Sequence, residues 1–260
     1  MGIAVSSWPL ASAVARRGQL GVVSGCGLDL ILARRLQLGD VGGHLRRALE
    51  QFPVKEVAER VWNRYFVPGG KAPNAPFKSK AVHNIVPPTS LVELTVVANF
   101  VEVFLAKHGH GGIVGVNYLE KIQLPTLPSL FGAMLAGVDY VLMGAGIPRA
   151  IPGALDSLAS LSPTEIPIDV TGARAGERFV SRFDPRPYTT EETVARPKFL
   201  AIVSSAALAT TLARKCTGKV DGFVIEGPTA GGHNAPPRGA LNLDAVSYTH
   251  LDVYKRQAPR

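Results

Sequence analysis

Short apolar segments alternate with helix-like segments along most of the chain. Each apolar segment is continuous, as buried parallel strands tend to be, and the segments between them space their apolar residues three or four apart, as helices do. Strands are predicted at 2–6, 20–24, 113–117, 140–143, 198–203 and 223–225. Helices are predicted at 7–17, 29–38, 43–51, 54–65, 91–107, 127–136, 151–161 and 206–216, of which 91–107 reads as a long amphipathic helix.

This alternation predicts an α/β fold with a parallel sheet and right-handed crossovers. Six strand–helix units suit either a complete doubly wound sheet or most of an eight-stranded barrel. We favour a TIM-type (β/α)8 barrel that is incomplete, with about six of its eight β/α units, over residues 1–245. Two stretches interrupt the alternation and are predicted to be insertions, at about 52–89, as a lid, and at about 163–197, with an extra strand at 166–170.

The last segment, 246–260, differs in character from the rest of the chain. Codons can be chosen for Val246–Leu251 whose reverse complement, read one base out of frame, encodes Asp252–Gln257. Such an inverted repeat resembles the transposon mosaic-end adaptor of sequencing libraries, and the alternative is an ordinary strand or turn. We therefore predict a non-native, disordered tail after Ala245, which favours the interrupted barrel over the complete sheet.

Composition fits a globular protein, with 46% hydrophobic and 18% charged residues, and excludes disordered and fibrous classes. The net charge of +8 is scattered, which indicates solubility or attraction for anions and no nucleic-acid partner. The two cysteines are far apart, so a reducing, cytoplasmic location is predicted. Because Glu93 and Glu102 interrupt the longest apolar run, no membrane span is predicted.

In both candidate architectures, ligands bind where the strands end. Small residues follow the predicted strands at Ser6–Ser7, Gly25–Gly27, Asn117–Tyr118, Gly144–Gly146, Ser204–Ser205 and 226–233. Glycine there allows the backbone to approach a flat or phosphorylated ligand, although loops favour the same residues without any ligand. The pattern predicts a cofactor lying across this edge.

Familiar nucleotide motifs do not fit the sequence. Leu30 stands where the third glycine of a dinucleotide fingerprint would follow Gly25 and Gly27, and no phosphate-binding Gly-Lys-Ser/Thr loop follows a strand. No spacing suits a metal: His108 and His110 read as solvated residues capping a helix end.

Among the other histidines, His233 is the best candidate for chemistry. It follows two glycines just past a strand, and an imidazole can take or give a proton near neutral pH. A surface loop histidine explains the same spacing equally well. His44 and His83 are predicted to be exposed.

Residues 226–233, Glu-Gly-Pro-Thr-Ala-Gly-Gly-His, resemble the signature loop of the nitronate monooxygenase family, formerly called 2-nitropropane dioxygenases. Three more segments are similar in the same order: 12–25 to the family's first helix and second strand, 115–117 to its third strand and 138–148 to its fourth. The resemblance runs over most of residues 2–240, apart from the two insertions.

The resemblance implies an FMN-binding barrel that oxidises alkyl nitronates or nitroalkanes with O2. His233 would be the base that deprotonates neutral nitroalkanes. Flavin contacts are implied for Val5, Ser6, Ser7, Asn117, Ser204, Gly231 and Gly232. The chain departs from the family pattern in having Ser7 and Trp8 where a methionine is frequent, and no lysine within 201–203.

A larger departure concerns the phosphate, which TIM barrels grip with the loops after strands seven and eight. Those strands fall outside the predicted set, so weak FMN binding is expected of this chain. Two alternatives stay open: a flavin-dependent enoyl-ACP reductase using NAD(P)H, and an inactive fragment that binds only an anion or a partner. An oligomer is compatible with either.

The tail hypothesis predicts what the gene encodes after codon 245. We expect the genomic sequence to depart from 246–260 and to continue with two further strand–glycine–helix units. Sequencing the locus tests this expectation, and a gene that encodes residues 246–260 as printed would contradict it.

Overall fold

The computed structural model describes residues 2–227, and their elements follow the predicted alternation. The helices are α1 (Trp8–Ala15), α2 (Leu28–Gln37), α3 (His44–Leu49), α4 (Lys55–Tyr65), α5 (Thr89–Lys107), α6 (Thr126–Leu135), α7 (Ile151–Ala159) and α8 (Ala206–Lys215). The strands are β1 (Gly21–Ser24), β2 (Val114–Leu119), β3 (Tyr140–Gly144), β4 (Thr164–Ile168), β5 (Phe179–Phe183), β6 (Lys198–Val203) and β7 (Gly222–Ile225).

Five strands form one parallel sheet in the order β1-β2-β3-β6-β7. Along the chain, each strand of this sheet is placed next to the one before it, always on the same side. In a doubly wound sheet the order of strand addition reverses at a switch point, and no such reversal occurs among these five strands. Because parallel crossovers are right-handed, this order places the connecting helices on one face. The fold is therefore α/β. A TIM barrel is neither shown nor excluded by the described strands.

The strand register separates two faces of this sheet. One row of successive partners is fully buried in the core and consists of Val23, Val116, Val141 and Phe199. The next row points to the opposite face, because side chains alternate along a strand, and consists of Ser24, Asn117, Leu142 and Leu200. The second face combines polar and apolar side chains, and Leu200 on it is only half-buried.

The strand predicted at 2–6 is wrong, because this segment forms a turn. The N–H groups of Val5 and Ser6 both donate to the carbonyl of Gly2, at 3.2 and 3.1 Å. Val5 is 73% exposed and contributes nothing to the core. A single strand-like bond remains, in which Ser24 N–H donates to the Ser6 carbonyl at 2.7 Å. One backbone bond does not hold a strand against β1.

Helix α5 is the core helix of the molecule and is buried on nearly all sides, so the prediction that it is amphipathic is wrong. Its two buried carboxylates are both paired. Glu93 accepts from Arg60 of α4 at 2.7 Å, and Glu102 accepts from Arg35 of α2 and from the backbone N–H of Trp8, both at 2.7 Å. Helix α5 is apolar and long enough to cross a membrane, yet 78% of its apolar window is buried within the fold.

The first insertion contains α4 and then an irregular segment, residues 66–88, which we call the strap. The strap runs back along α2 and is anchored at the helix end by Gln37. The Gln37 side chain accepts from Lys78 N–H at 2.6 Å and donates to the Lys78 carbonyl at 3.2 Å. The backbone of Lys71 donates to the Gln37 carbonyl at 2.8 Å, so the strap is held at two points there.

The second insertion forms a separate antiparallel pair, β4 with β5. The predicted extra strand is confirmed as β4, although it does not join the parallel sheet. Phe183 of β5 packs on Phe131 of α6 with ring centroids 5.7 Å apart, which fastens the pair to the outside of the helix layer.

Close approach of α5 and α6 predicts a large effect of one methyl group. A Cβ at Gly132 in α6 would collide with the Val96 carbonyl of α5, so Gly132→Ala should cost about 1–3 kcal/mol. Alanine's higher helix propensity, worth up to about 1 kcal/mol, works in the opposite direction. The control Gly111→Ala meets no atom within 4 Å and should stay within about 0.5 kcal/mol of wild type. Urea unfolding followed by circular dichroism measures both, and equal effects would refute this view of the contact.

Candidate functional site

The five parallel strands end along one continuous edge, which we call the carboxyl edge. Two backbone bonds extend the strand register past the strands themselves. Gly25 N–H donates to the Asn117 carbonyl at 2.9 Å, and Glu226 N–H donates to the Val203 carbonyl at 2.8 Å. The segments that leave this edge are 25–27, 120–125, 145–150, 204–205 and 226–227. The predicted strand ends after β1, β3 and β6 therefore share this edge with 226–227, whereas Asn117 and Tyr118 lie within β2 and Ser6 and Ser7 follow no strand.

The structure brings some of the predicted flavin-contacting residues together. Ser6 lies beside β1 through its bond to Ser24, and Ser24 is the register partner of Asn117. Ser204 follows β6 at the same edge, but β3 separates it from Asn117. Three predicted residues lie outside the described residues: Gly231, Gly232 and His233. Val5 and Ser7 flank Ser6, Val5 in the turn and Ser7 at the N-cap position of α1.

Asn117 is the polar residue best placed to meet a ligand. Its side chain belongs to the sheet face opposite the row of Val23 and Val116, and the residue is 7% exposed. Its Nδ2 lies 3.5 Å from the Leu142 carbonyl, which is long for a hydrogen bond, and within the described part of the chain the side chain makes no other. The amide can therefore take a better partner.

The strand-end glycines have a structural role of their own. A Cβ at Gly25 would overlap the ring of Tyr118, and one at Gly144 would lie 2.8 Å from the Cβ of Ile202. Neighbouring side chains of the chain itself therefore require glycine at both positions. These contacts explain both glycines without any ligand.

A cavity of about 310 Å³ lies at the carboxyl ends of β1 and β2, where the strap returns to the sheet. We call it the β1–β2 cavity. Polar residues of its lining come from the segment after β1, the start of α2, the strap, α5 and β2. They include Cys26, Asp29, Lys80, His83, Asn99 and Tyr118. None of these residues was singled out for chemistry by sequence reasoning.

Asp29 is the centre of a cluster of charged side chains in this lining. One of its oxygens, Oδ2, accepts from Lys80 Nζ at 2.7 Å and lies 2.8 Å from His83 Nε2. The other, Oδ1, accepts from Leu30 N–H at 2.8 Å. Burial alone would raise the pKa of Asp29, but the hydrogen bonds from His83 and Lys80 outweigh it and hold the pKa below its ordinary value. Asp29 is therefore ionised at neutral pH.

Two other titratable groups in the cavity are unsuited to proton transfer or attack. Burial raises the pKa of the Cys26 thiol, and the bond from the Leu119 backbone only partly offsets this, so the nucleophilic thiolate is scarce at neutral pH. Burial also raises the pKa of Tyr118 well above its ordinary value. Its hydroxyl lies 2.8 Å from Asn99 Oδ1 and is already engaged.

The histidines differ partly from expectation. His83, predicted to be exposed, is half-buried against Asp29 because the strap folds back to the start of α2. His44 was also predicted exposed and is half-buried, with its ring centroid 5.1 Å from that of Trp8. The capping role predicted at the end of α5 is confirmed for His110, whose Nε2 lies 2.7 Å from the Ala106 carbonyl. Within residues 2–227, no group of three or more His, Cys, Asp and Glu side chains could hold a metal ion.

No protein-family model matches the chain, and a search of the curated proteins finds no match. The likeness of 226–233 to the nitronate monooxygenase loop therefore remains a resemblance of motifs.

The ionised Asp29 predicts a defined dependence of stability on pH. Its folded pKa lies below the unfolded value of about 4, so its contribution is present above that pH and is lost as the pH falls through the folded pKa. Asp29→Asn should cost about 1–3 kcal/mol at pH 7, and the gap to wild type should shrink in acid.

Urea midpoints of wild type and variant between pH 3 and pH 7 measure this gap. Asp169→Asn removes an exposed carboxylate and should stay within about 0.5 kcal/mol of wild type throughout. A gap for Asp29→Asn that is constant across the range would show that the charge of Asp29 does not stabilise the fold.

Proposed function

We propose that this chain is an FMN-dependent oxidoreductase of the nitronate monooxygenase type, acting on a nitronate or nitroalkane with O2. The observation that supports it most is the continuous carboxyl edge of sequentially ordered parallel strands, with the long-bonded Asn117 amide on the adjoining sheet face. Such edges are where α/β proteins bind cofactors. The resemblance of 226–233 then selects flavin among the cofactors.

The sheet face with Asn117 carries the kinds of side chain that bind a flavin ring. A flat heteroaromatic ring presents apolar faces and hydrogen-bonding edges. The row Asn117, Leu142 and Leu200 offers one amide next to two apolar side chains on adjacent strands, and Ser24 adds a hydroxyl on the other side. The amide, the hydroxyl and the apolar side chains of this row match the ring in chemistry. The loops expected to hold the phosphate follow strands seven and eight of a barrel, outside the parallel strands described here.

When bound, FMN would supply the redox step between the nitronate and O2. The chain would bind and orient the ring through the Asn117 amide, while the apolar side chains of the same row exclude water from one ring face. A nitronate is already deprotonated, so its oxidation asks no base of the protein. A neutral nitroalkane has to lose a proton first, and the resemblance gives this task to His233, outside the described residues.

The proposed contact predicts that Asn117→Leu weakens flavin binding about tenfold, the cost of one lost hydrogen bond of about 1.4 kcal/mol. Flavin fluorescence titration of the 260-residue chain measures it. FMN and riboflavin should bind weakly and with similar Kd, because the ring makes the contacts. Asn63→Leu, at an exposed amide on α4, is the control and should leave both Kd values unchanged.

Activity is tested with the FMN-saturated chain and preformed propyl-2-nitronate. Oxygen uptake without any nicotinamide cofactor is the expected result. Reduction of the bound flavin by NADPH without nitronate turnover would instead identify an enoyl-ACP reductase-like enzyme. If neither flavin binds saturably, the proposal fails and a module that binds only an anion or a partner is left.

A further inference from the structure

A cavity of about 680 Å³ lies in the helix layer, between α1, α3 and the end of α5. We call it the α1–α3–α5 cavity, and its volume is within the range of small-molecule sites. It extends to Arg16 and His108, where α1 and α5 end and the chain leads toward the starts of β1 and β2. Because the strands are parallel, these starts lie opposite the carboxyl edge. The cavity is therefore separate from the flavin site proposed above.

Aromatic rings line this cavity in two pairs. The ring centroids of Trp8 and His44 are 5.1 Å apart, and those of Phe104 and His108 are 5.5 Å apart. Trp8, His44 and Phe104 are half-buried and His108 is exposed, so each ring keeps some accessible surface. Accessible ring surface of this kind binds a flat ligand by stacking.

Arg16, at the end of α1, brings a positive charge to the cavity. Its guanidinium donates to Ser12 Oγ at 3.3 Å, to the Gly109 carbonyl at 3.2 Å and to the His108 carbonyl at 3.0 Å. These bonds use three of the five N–H donors of an arginine, so two are left. All three acceptors are uncharged, and the guanidinium is thus held in place without being neutralised.

Arg47, on α3, brings a second guanidinium to the same cavity. It donates to the Gly42 carbonyl at 3.0 Å and to His44 Nδ1 at 2.6 Å. Because an arginine only donates, Nδ1 has to accept, and in the neutral imidazole Nε2 then carries the hydrogen. Within the described part of the chain this Nε2 makes no hydrogen bond, so His44 offers a further donor.

The carboxylates near the cavity are paired with other cations. Glu50, the acidic residue of the lining, accepts from Arg46 at 3.1 Å. Glu102, which accepts from the backbone at the start of α1, is neutralised by the arginine of α2. Among residues 2–227, neither Arg16 nor Arg47 forms an ion pair. The cavity therefore combines unneutralised positive charge with aromatic rings.

We propose that the α1–α3–α5 cavity binds a planar aromatic ring that carries an anionic group, in a molecule of the size of a mononucleotide. The ring stacks on Trp8, and the remaining N–H groups of Arg16 and Arg47 bind the anionic group. Donors on two guanidinium groups suit the several oxygens of a phosphate, and the volume leaves room for a sugar. A ring with a carboxylate has the same chemistry with fewer oxygens. The site does not depend on the flavin chemistry.

The test titrates the 260-residue chain with 5′-AMP and, separately, with indole-3-acetate by isothermal titration calorimetry. Saturable binding is expected, and the tighter of the two probes identifies a phosphate or a carboxylate as the anionic group. Adenosine presents a ring without the anion, and inorganic phosphate presents an anion without the ring. Each of these two should bind at least about tenfold more weakly than 5′-AMP, because each makes only one kind of contact.

Variants of exposed arginines separate a specific site from general attraction of anions. Arg47→Gln should weaken binding of the tighter probe about tenfold, since it removes charge-assisted hydrogen bonds, and Arg16→Gln should have a similar effect. Arg17→Gln is the matched control: it removes the same charge next to Arg16 but outside the cavity lining, and it should leave Kd unchanged. Urea midpoints check that each variant is folded.

Tryptophan fluorescence tests where the ring binds. The chain has two tryptophans, Trp8 in this cavity and Trp62 on α4. A ring stacked on Trp8 should quench its fluorescence. Quenching should persist in Trp62→Phe and disappear in Trp8→Phe, in which the phenylalanine still provides a ring for binding.

The inference is wrong if neither probe binds saturably, if Arg17→Gln weakens binding as much as Arg47→Gln, or if quenching persists in Trp8→Phe. Loss of binding in Asn117→Leu would also overturn it, because the probe would then occupy the carboxyl edge. Arg47→Gln should leave the Kd of riboflavin unchanged. Failure of this inference is therefore distinguishable from failure of the proposed function.

Discussion

The pairing of the two buried carboxylates on α5 is the interaction on which the rest of the structure depends. An unpaired carboxylate in the core would cost several kcal/mol, so each of these glutamates requires a guanidinium at a fixed place. Glu102 places Arg35 and therefore α2, while the Trp8 N–H on the same carboxylate places the start of α1. Glu93 does the same for α4 through Arg60. The N-terminal helices are thus positioned by charge as well as by apolar packing.

Positioning α2 also positions the chemistry at the carboxyl edge. Arg35 lies in the last turns of the helix and Asp29 in its first, so the ion pair with α5 at one end fixes the carboxylate at the other. The strap follows the same helix from Gln37 to Asp29. An irregular segment can deliver two side chains accurately to one carboxylate because it is tied to a rigid helix at both ends.

Much of the fold could be predicted from the sequence, because buried parallel strands such as 198–203 are continuous apolar runs and the helices have regular spacing. The errors have physical causes. The apolar run 2–6 looks like a strand, but strand formation needs partners, and only Ser24 bonds to it. Helix α5 was predicted to be amphipathic although Glu93 and Glu102 are buried in it, because sequence does not reveal that distant arginines neutralise them inside the core.

The candidate site was predictable only in part, because some of its contacts join residues that are far apart in the sequence. Asn117 was predicted as the last residue of an apolar strand, and it lies on that strand, β2, two residues before its end. His83 and Asp29 are far apart in sequence, and the strap between them has no periodicity that would predict its path. Contacts made by an irregular segment depend on its anchors, here Gln37 at one end and Asp29 itself at the other.

The sheet face with Asn117 and the β1–β2 cavity are adjoining parts of the carboxyl edge that are built from different kinds of segment. The sheet face with Asn117 is built from strands, whose register is rigid, and suits a flat ring that must be held in one plane. The β1–β2 cavity is closed by an insertion, whose sequence is free of the constraints of the sheet and can change without disturbing it. A change in the strap would therefore alter the lining of the β1–β2 cavity, to which Lys80 and His83 belong, while the register of the row with Asn117 stayed the same.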